Sequence, residues 1–358
     1  MMKTRWLFAV LALSMVLSAA IPAAAWHRNP AFTFAVLPDG ATGPEGLTVG
    51  PDGKVYVATF GFNAGGGVSG QGQMYVYSPH GRLLRQVSIA GSTSHLLGLA
   101  FHPNGSLLVL DFGAGQVLKV NPVTGTSSVF MTPGNPASPG LNALTFDKAG
   151  NVYVSDSFQG VIWKTGSTGG TGTAWASDPL LTTSGVPPFG ANGMVFNRAG
   201  SAMFVANTGN DTVLKIAVNE DGTSGAVSVF INSINGADGI AIDKHDNLWV
   251  AANQGDEIVV VDPTGKAIAK LGDFGGVSDE GVPRGLLFPA SPAFSADGHW
   301  LYVTNLALDL RIFNAAYVAV DSGWTAQVNR YTVSKIEARI PPLKGDGDKD
   351  DKDDRDKD

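Results

Sequence analysis

Glu45-Gly-Leu-Thr-Val-Gly-Pro-Asp-Gly53 is the first of six stretches of this chain that share one plan. The others are Leu97-Gly-Leu-Ala-Phe-His-Pro-Asn-Gly105, Asn142-Ala-Leu-Thr-Phe-Asp-Lys-Ala-Gly150, Asn192-Gly-Met-Val-Phe-Asn-Arg-Ala-Gly200, Asp238-Gly-Ile-Ala-Ile-Asp-Lys-His-Asp246 and Ala290-Ser-Pro-Ala-Phe-Ser-Ala-Asp-Gly298. Each begins with a lead residue and a small residue, sets an apolar residue four places after the lead, and ends in a turn. The leads are 52, 45, 50, 46 and 52 residues apart. A repeat of that length with turn residues at a fixed offset marks a propeller or a solenoid.

Outward from each lead, a β-branched and aromatic run predicts a second strand, as in Val55-Tyr-Val-Ala58, Val152-Tyr-Val-Ser155 and Leu248-Trp-Val-Ala251. Third strands follow at Val117–Val120, Val161–Lys164, Val213–Ile216 and Ile258–Val261, and weaker fourth strands at Leu83–Val87 and Ala226–Ile231. Four strands per unit without intervening helices predict an all-β chain, a six-bladed β-propeller with four-stranded blades. The sixth unit has its third strand predicted at Val328–Val333 and no fourth after it, since Ile340-Pro-Pro follows. Phe32-Thr-Phe-Ala-Val-Leu37, ahead of the first unit, is predicted to supply that strand, so that the ring is closed by an N-terminal strand and leaves no open edge there.

The flanks differ in kind. A basic start through Arg5, an apolar run from Trp6 to about Ala20 and an A-x-A site ending at Ala25 predict a signal peptide over 1–25, hence a secreted or periplasmic protein with no membrane insertion after cleavage. Residues 26–340 are predicted to form one propeller domain, monomeric, and 341–358 a disordered charged tail. From Gly345 on, that tail holds eight Asp against four Lys or Arg and nothing apolar. There is no cysteine, so thiol nucleophiles, thiolate metal sites and disulfides are excluded. The net charge of −7 lacks the basic stripes that nucleic acid requires.

In a propeller, the innermost strand of every blade runs beside the central channel, so equivalent residues fall on a ring. At the lead register that ring reads Glu45, Leu97, Asn142, Asn192, Asp238 and Ala290. Two carboxylates and two amides in a narrow channel are costly without partners. A hard divalent cation would relieve that cost, because calcium and magnesium take carboxylate and amide oxygens. Glu45, Asn142, Asn192 and Asp238 are therefore the candidate metal ligands, with calcium as first choice. In the competing reading the same side chains cap loop backbones at the channel mouth. Asn142 and His95, which lies two residues before the second lead, are the candidate substrate-binding residues.

These segments resemble the senescence marker protein, gluconolactonase and luciferin-regenerating enzyme family of six-bladed propellers, over Glu45 to about Val333. Pro44-Glu45-Gly46 is similar to that family's first-blade Gly-Glu-Gly-Pro context, Asn142-Ala143-Leu144 to its third-blade Asn-Asp-Gly, Ala191-Asn192-Gly193 to its Ser-Asn-Gly, and Ala237-Asp238-Gly239 to its Pro-Asp-Gly. The resemblance implies a calcium-type ion that polarises a lactone carbonyl or phosphoryl oxygen, with Asp238 as catalytic base or nucleophile. It thus implies a metal-dependent hydrolase of a small lactone or related ester. The chain departs from the pattern at Gly140, where sugar-acid lactonases tend to carry Arg, and at Leu97, where paraoxonase-like propellers carry a catalytic His. An NHL-repeat-like binding propeller for a peptide, glycan or surface partner is the alternative, and a lyase or strictosidine-synthase-like activity a third. The insertion from Leu306 to Thr325 is expected either to cover the mouth or to pad an edge.

Overall fold

The computed structural model describes residues 28–340, so the expected signal peptide and charged tail lie outside the described residues. The described residues fall in one compact unit. Six blade sheets follow one another along the chain, five of them four-stranded as predicted and the second extended by the two-residue strand Gly170–Thr171, which pairs in parallel with Ser127–Thr132. Their innermost strands are Pro44–Val49, Leu96–Phe101, Leu141–Phe146, Ala191–Phe196, Ala237–Ile242 and Pro289–Phe294. Each lies beside the next, and the sixth lies beside the first, so the protein is a closed six-bladed β-propeller. The only α-helix among the described residues is the single turn Ser322–Thr325.

The sixth blade closes as the sequence predicts. Phe32–Val36 forms its outer strand and pairs antiparallel with Thr332–Glu337, with Phe32 opposite Lys335 and Val36 opposite Thr332. The third strand of that blade begins later than the predicted Val328. Val328 and Tyr331 are buried side chains of the connection, packed beside Leu37 and Ala307, and the ladder starts only at Thr332.

Alternation along the strands explains the core. Apolar side chains from both faces of each sheet meet the neighbouring blade, giving six clusters, one to each gap. Tyr153, Trp175 and Phe196 pack edge to face between the third and fourth blades. The turn carboxylates of the repeat tie into this packing: Tyr56 Oη, Tyr153 Oη and Trp249 Nε1 donate to Asp52, Asp147 and Asp243. Against the cost of partial burial, the side chains of Lys54, Asn151 and Asn247, the turn amides and these ring donors hold the three carboxyls below the usual range.

One feature recurs in all six blades and positions the site. Between the residue before the lead and the residue two after it, the inner strand carries one more residue than its partner. Thus Pro44 faces Thr59 and Leu47 faces Val57, and the same step recurs at Leu96/Leu99, Leu141/Leu144, Ala191/Met194, Ala237/Ile240 and Pro289/Pro292. The lead and the small residue after it therefore form a β-bulge, a device that re-aims side chains. In the third and sixth blades, a partner-strand hydroxyl accepts the bulge amide: Ala143 N donates to Ser155 Oγ and Ser291 N to Thr304 Oγ1, both at 2.9 Å.

Candidate functional site

The bulges bring four of the predicted residues together. Glu45, Asn142, Asn192 and Asp238, joined by Leu97, line a narrow cleft at one end of the axis whose cavity measures about 30 Å³. The four polar leads are only 4–5% exposed. The sixth lead, Ala290, is buried in an apolar cluster and is not among the lining residues. His95 does not line the cleft. Its ring stacks on Phe62 with centroids 4.7 Å apart, and its Nδ1 bonds the Phe60 carbonyl at 2.7 Å, so the structure gives it a place behind the wall.

The structure adds a second ring that the sequence reading missed. One residue beyond the end of each second strand stand Phe60, Phe112, Ser157, Thr208, Asn253 and Leu306. They follow their leads by 15 or 16 residues throughout, a spacing that an alignment carried past the turn would have exposed. Four of them, Phe60, Thr208, Asn253 and Leu306, line the cleft. The ring is apolar at blades six, one and two and polar at blades three to five. Its polar members orient the leads: Asn253 Nδ2 donates to Asp238 Oδ2 at 3.2 Å, and Asn192 Nδ2 donates to Thr208 Oγ1 at 2.9 Å. With its amide nitrogen engaged, Asn192 keeps its carbonyl oxygen for another partner.

The electrostatics are those of an uncompensated pair. No Lys or Arg is among the lining residues. Burial raises the Glu45 pKa well above the ordinary glutamate range, and the Asp238 charge raises it further. Burial likewise pushes Asp238 up to about 7, although hydrogen bonds from Asn253 and Asn192 hold it down. Glu45 Oε2 and Asn253 Oδ1 are buried without a hydrogen-bond partner. Orphaned buried oxygens next to carboxylates that resist ionisation fit a hard divalent cation, which needs oxygens and supplies positive charge. Among the described residues there is no group of three or more His, Cys, Asp or Glu side chains suited to a metal. A cation here would depend on two carboxylates supplemented by the amide oxygens of Asn142 and Asn192, with water or ligand oxygens completing its shell.

The insertion that begins at the sixth strand-end ring position, Leu306, forms part of the wall. Leu306, Leu308 and Leu310 line the cleft, and Phe313 packs edge-on against Phe62 at 5.0 Å. Arg311 anchors the segment through two bonds to Asp309 and one to the Ser322 carbonyl. Near it lies an ionisable group under strain. Asp321 is 3% exposed, and neither of its carboxylate oxygens has a donor. Burial, followed by the Asp256 carboxylate, pushes it up to about 7. The folded protein therefore holds this proton up to about pH 7, whereas the unfolded chain releases it near pH 4. The unfolded chain binds fewer protons in that window, so stability falls as pH rises from about 4 to about 7. Asp321→Asn is expected to melt above the parent at pH 8 and close to it at pH 4. Equal shifts at both values, in thermal melts, would rule out the carboxyl as the source.

Comparison with known proteins agrees with this fold. A family model described as the SMP-30/gluconolactonase/LRE-like region matches residues 188–272, which include Asn192 and Asp238, so the resemblance read from the repeats is borne out. A second model, of the strictosidine synthase-like N-terminal region, matches residues 31–61. No curated protein matches the sequence. Similar solved structures include a gluconolactonase from Xanthomonas campestris, 13% identical, with a TM-score of 0.58 over 86% of this chain and 89% of that one. A calcium-binding protein, regucalcin, from Agrobacterium tumefaciens is 16% identical, with a TM-score of 0.58 over 87% and 98%. A streptogramin B lyase is 14% identical, with a TM-score of 0.56 over 87% and 99%. At these identities the structural likeness speaks for the fold.

Proposed function

We propose that this protein is a divalent-cation-dependent hydrolase of lactones or related esters, working at the mouth of an exported, monomeric propeller on a small-molecule substrate. The observation that carries the reading is the lead ring. Two buried carboxylates and two amides stand at one register, one carboxylate oxygen lacks any partner, and no cationic side chain lines the cleft. The matched family region and the gluconolactonase and regucalcin neighbours support it.

Glu45, Asn142, Asn192 and Asp238 would hold the cation, with calcium the best fit to their oxygens. Such an ion, when bound, stabilises a developing oxyanion and lowers the pKa of water. The remaining work falls to the chain. Asn253 keeps Asp238 in place, and Thr208 fixes the Asn192 amide so that its carbonyl oxygen faces the ligand. Asp238 is assigned the proton: it takes one from the attacking water as the new C–O bond forms, and returns it to the ring oxygen as the lactone C–O bond breaks. The apolar walls keep other water away from the carbonyl.

The test pairs metal analysis of the purified protein with hydrolysis of a lactone and ester panel before and after chelation. The expected result is a bound divalent ion and turnover that is lost on chelation and restored by calcium. An ion without turnover of any lactone or ester would favour the binding-propeller alternative. No ion and no calcium response would remove the cation from the reading altogether.

A further inference from the structure

The insertion that walls the cleft has an outer side, and its chemistry differs from the rest of the surface. From Ile312 to Val320 it reads Ile-Phe-Asn-Ala-Ala-Tyr-Val-Ala-Val, nine residues without a charge. Over the last four the side chains alternate. Tyr317 and Ala319 pack against the apolar cluster that holds Leu306, Leu308 and Leu310, while Val318 and Val320 are 70% and 95% exposed. The two valines therefore share one outward side. Phe313 and Trp324, on either flank, are 40% and 44% exposed, and each rests on another ring: Phe313 on Phe62 with centroids 5.0 Å apart, Trp324 on Phe274 at 5.5 Å. Single exposed apolar side chains are ordinary on a protein surface. Four of them on one short, charge-free segment mark an interaction site.

The segment is also held in shape. Arg311 ties its start to Asp309 and to the Ser322 carbonyl, both at 2.7 Å, and Ala319 N donates to Ser322 Oγ at 2.9 Å. The amides of Trp324 and Thr325 donate to the Asp321 carbonyl. Arg311 is thus paired and the Asp321 side chain is buried, so neither flank brings free charge to the tip.

Shape and composition decide what such a tip fits. A stable protein interface engages roughly 20–30 residues a side and buries about 800 Å² on each. Two valines and two partly covered rings fall well short of that. A side chain 95% exposed is the apex of a protrusion, not the wall of a groove, and a fluid apolar phase needs no matching surface. Aliphatic side chains at the apex with Phe and Trp lower down also follow the depths at which a lipid interface takes them, aliphatic groups toward the acyl chains and aromatic rings at the headgroups. No helix among the described residues is long and apolar enough to cross a membrane, which leaves peripheral contact. The net charge of −7 gives no attraction to anionic headgroups, so a zwitterionic surface is the better match.

We propose that the tip Val318–Val320, collared by Phe313 and Trp324, docks the protein peripherally on a zwitterionic lipid surface. Docking brings the cleft wall beside the interface, because the same insertion carries Leu306, Leu308 and Leu310. It is independent of what the cleft binds.

The test is flotation of the purified protein with phosphatidylcholine vesicles. Partitioning is expected to be no stronger than that of a single myristoyl chain, an association constant of about 10⁴ M⁻¹ at most, and so to be read at millimolar lipid. It should persist when salt rises from about 0.1 to about 1 M, which screens charges but not apolar contact. The double substitution Val318→Asp/Val320→Asp is expected to lower partitioning at least about tenfold, since each replaces an apolar contact with a charge. Val129→Asp is the control: Val129 is 56% exposed on the outer strand of the second blade, and this variant should float like the parent. All three valines are exposed, so the melting temperatures should stay close to the parent's. No flotation of the parent, loss of binding at high salt, or an equal loss in Val129→Asp overturns the proposal. Dimerisation in place of flotation, seen by sedimentation velocity and abolished by the double substitution, overturns it in favour of a second copy of the chain.

Discussion

Asp238→Asn is expected to cut lactone hydrolysis about 10²–10⁴-fold, the range lost with a positioned proton-transfer group, and to erase most of the calcium-dependent gain in stability. Asparagine preserves the shape of the side chain, and its oxygen can still accept from Asn253 Nδ2, now 3.2 Å from Asp238 Oδ2. The substitution therefore removes a charge and a titrating oxygen without opening a cavity. In the parent, calcium at a hundredfold excess over its Kd adds about 2.7 kcal/mol. With one of two carboxylates gone, that increment should shrink sharply. Without calcium the variant should melt no lower than the parent, because Glu45 no longer faces a second buried carboxylate, one of the causes that raise its pKa. Melting curves with and without calcium, set beside initial rates, check all of this. A variant as fast as the parent would detach Asp238 from the chemistry; a variant that is slow but fully calcium-stabilised would detach it from the cation.

Gly193→Val is expected to be the most damaging single change of those considered for the fold, and to act on the site through the backbone. A Cβ at residue 193 would lie 2.3 Å from the Asp238 carbonyl oxygen and 2.7 Å from Gly239 Cα. Neither is a flexible side-chain end, so two inner strands must part. Overpacking of this kind costs roughly 1–3 kcal/mol and displaces Asp238 from Asn192. The bulge glycines Gly46 and Gly239 are as tight, with carbonyls of Leu97 and Ala290 at 2.1 and 2.5 Å. Gly166→Ala is the control, since nothing lies within 4 Å of its Cβ position; its effect should stay within about ±0.5 kcal/mol. Denaturant unfolding of both variants decides the matter. A Gly193→Val protein as stable as the control would mean that the inner strands can spread freely.

Much of this was readable in the sequence because the propeller repeats its geometry. Once the turn glycines and the apolar residue four places after the lead were aligned, Glu45, Asn142, Asn192 and Asp238 had to share one level of the channel, whatever the loops did. Thr208 and Asn253 were not found because they lie past the strand that the alignment tracked, and two blades there carry one extra residue. The bulge was hidden for a different reason: glycine after the lead reads equally well as a turn or as a close approach, and only the strand register separates the two. His95 shows the limit of proximity along the chain. Two residues from a lead, it is carried outward by the strand and spends its ring on Phe62 and the Phe60 carbonyl. The aromatic side chains of the wall sit on connections of unequal length, such as the segment holding Phe189, which lines the cleft, and the insertion holding Phe313, where no repeat constrains position.

The pairing of Phe32–Val36 with Thr332–Glu337 has a consequence for how such a molecule comes into being. An open solenoid gains cooperativity unit by unit, and its fragments can be stable. Here the first strand of the described residues must wait for the last of them, so a chain that stops short of it presents two naked sheet edges and a gap where the blades should meet. Such edges recruit other chains. Early truncations should therefore clump rather than persist as smaller rings, and a blade added by duplication would find no place until the clasp itself was rebuilt.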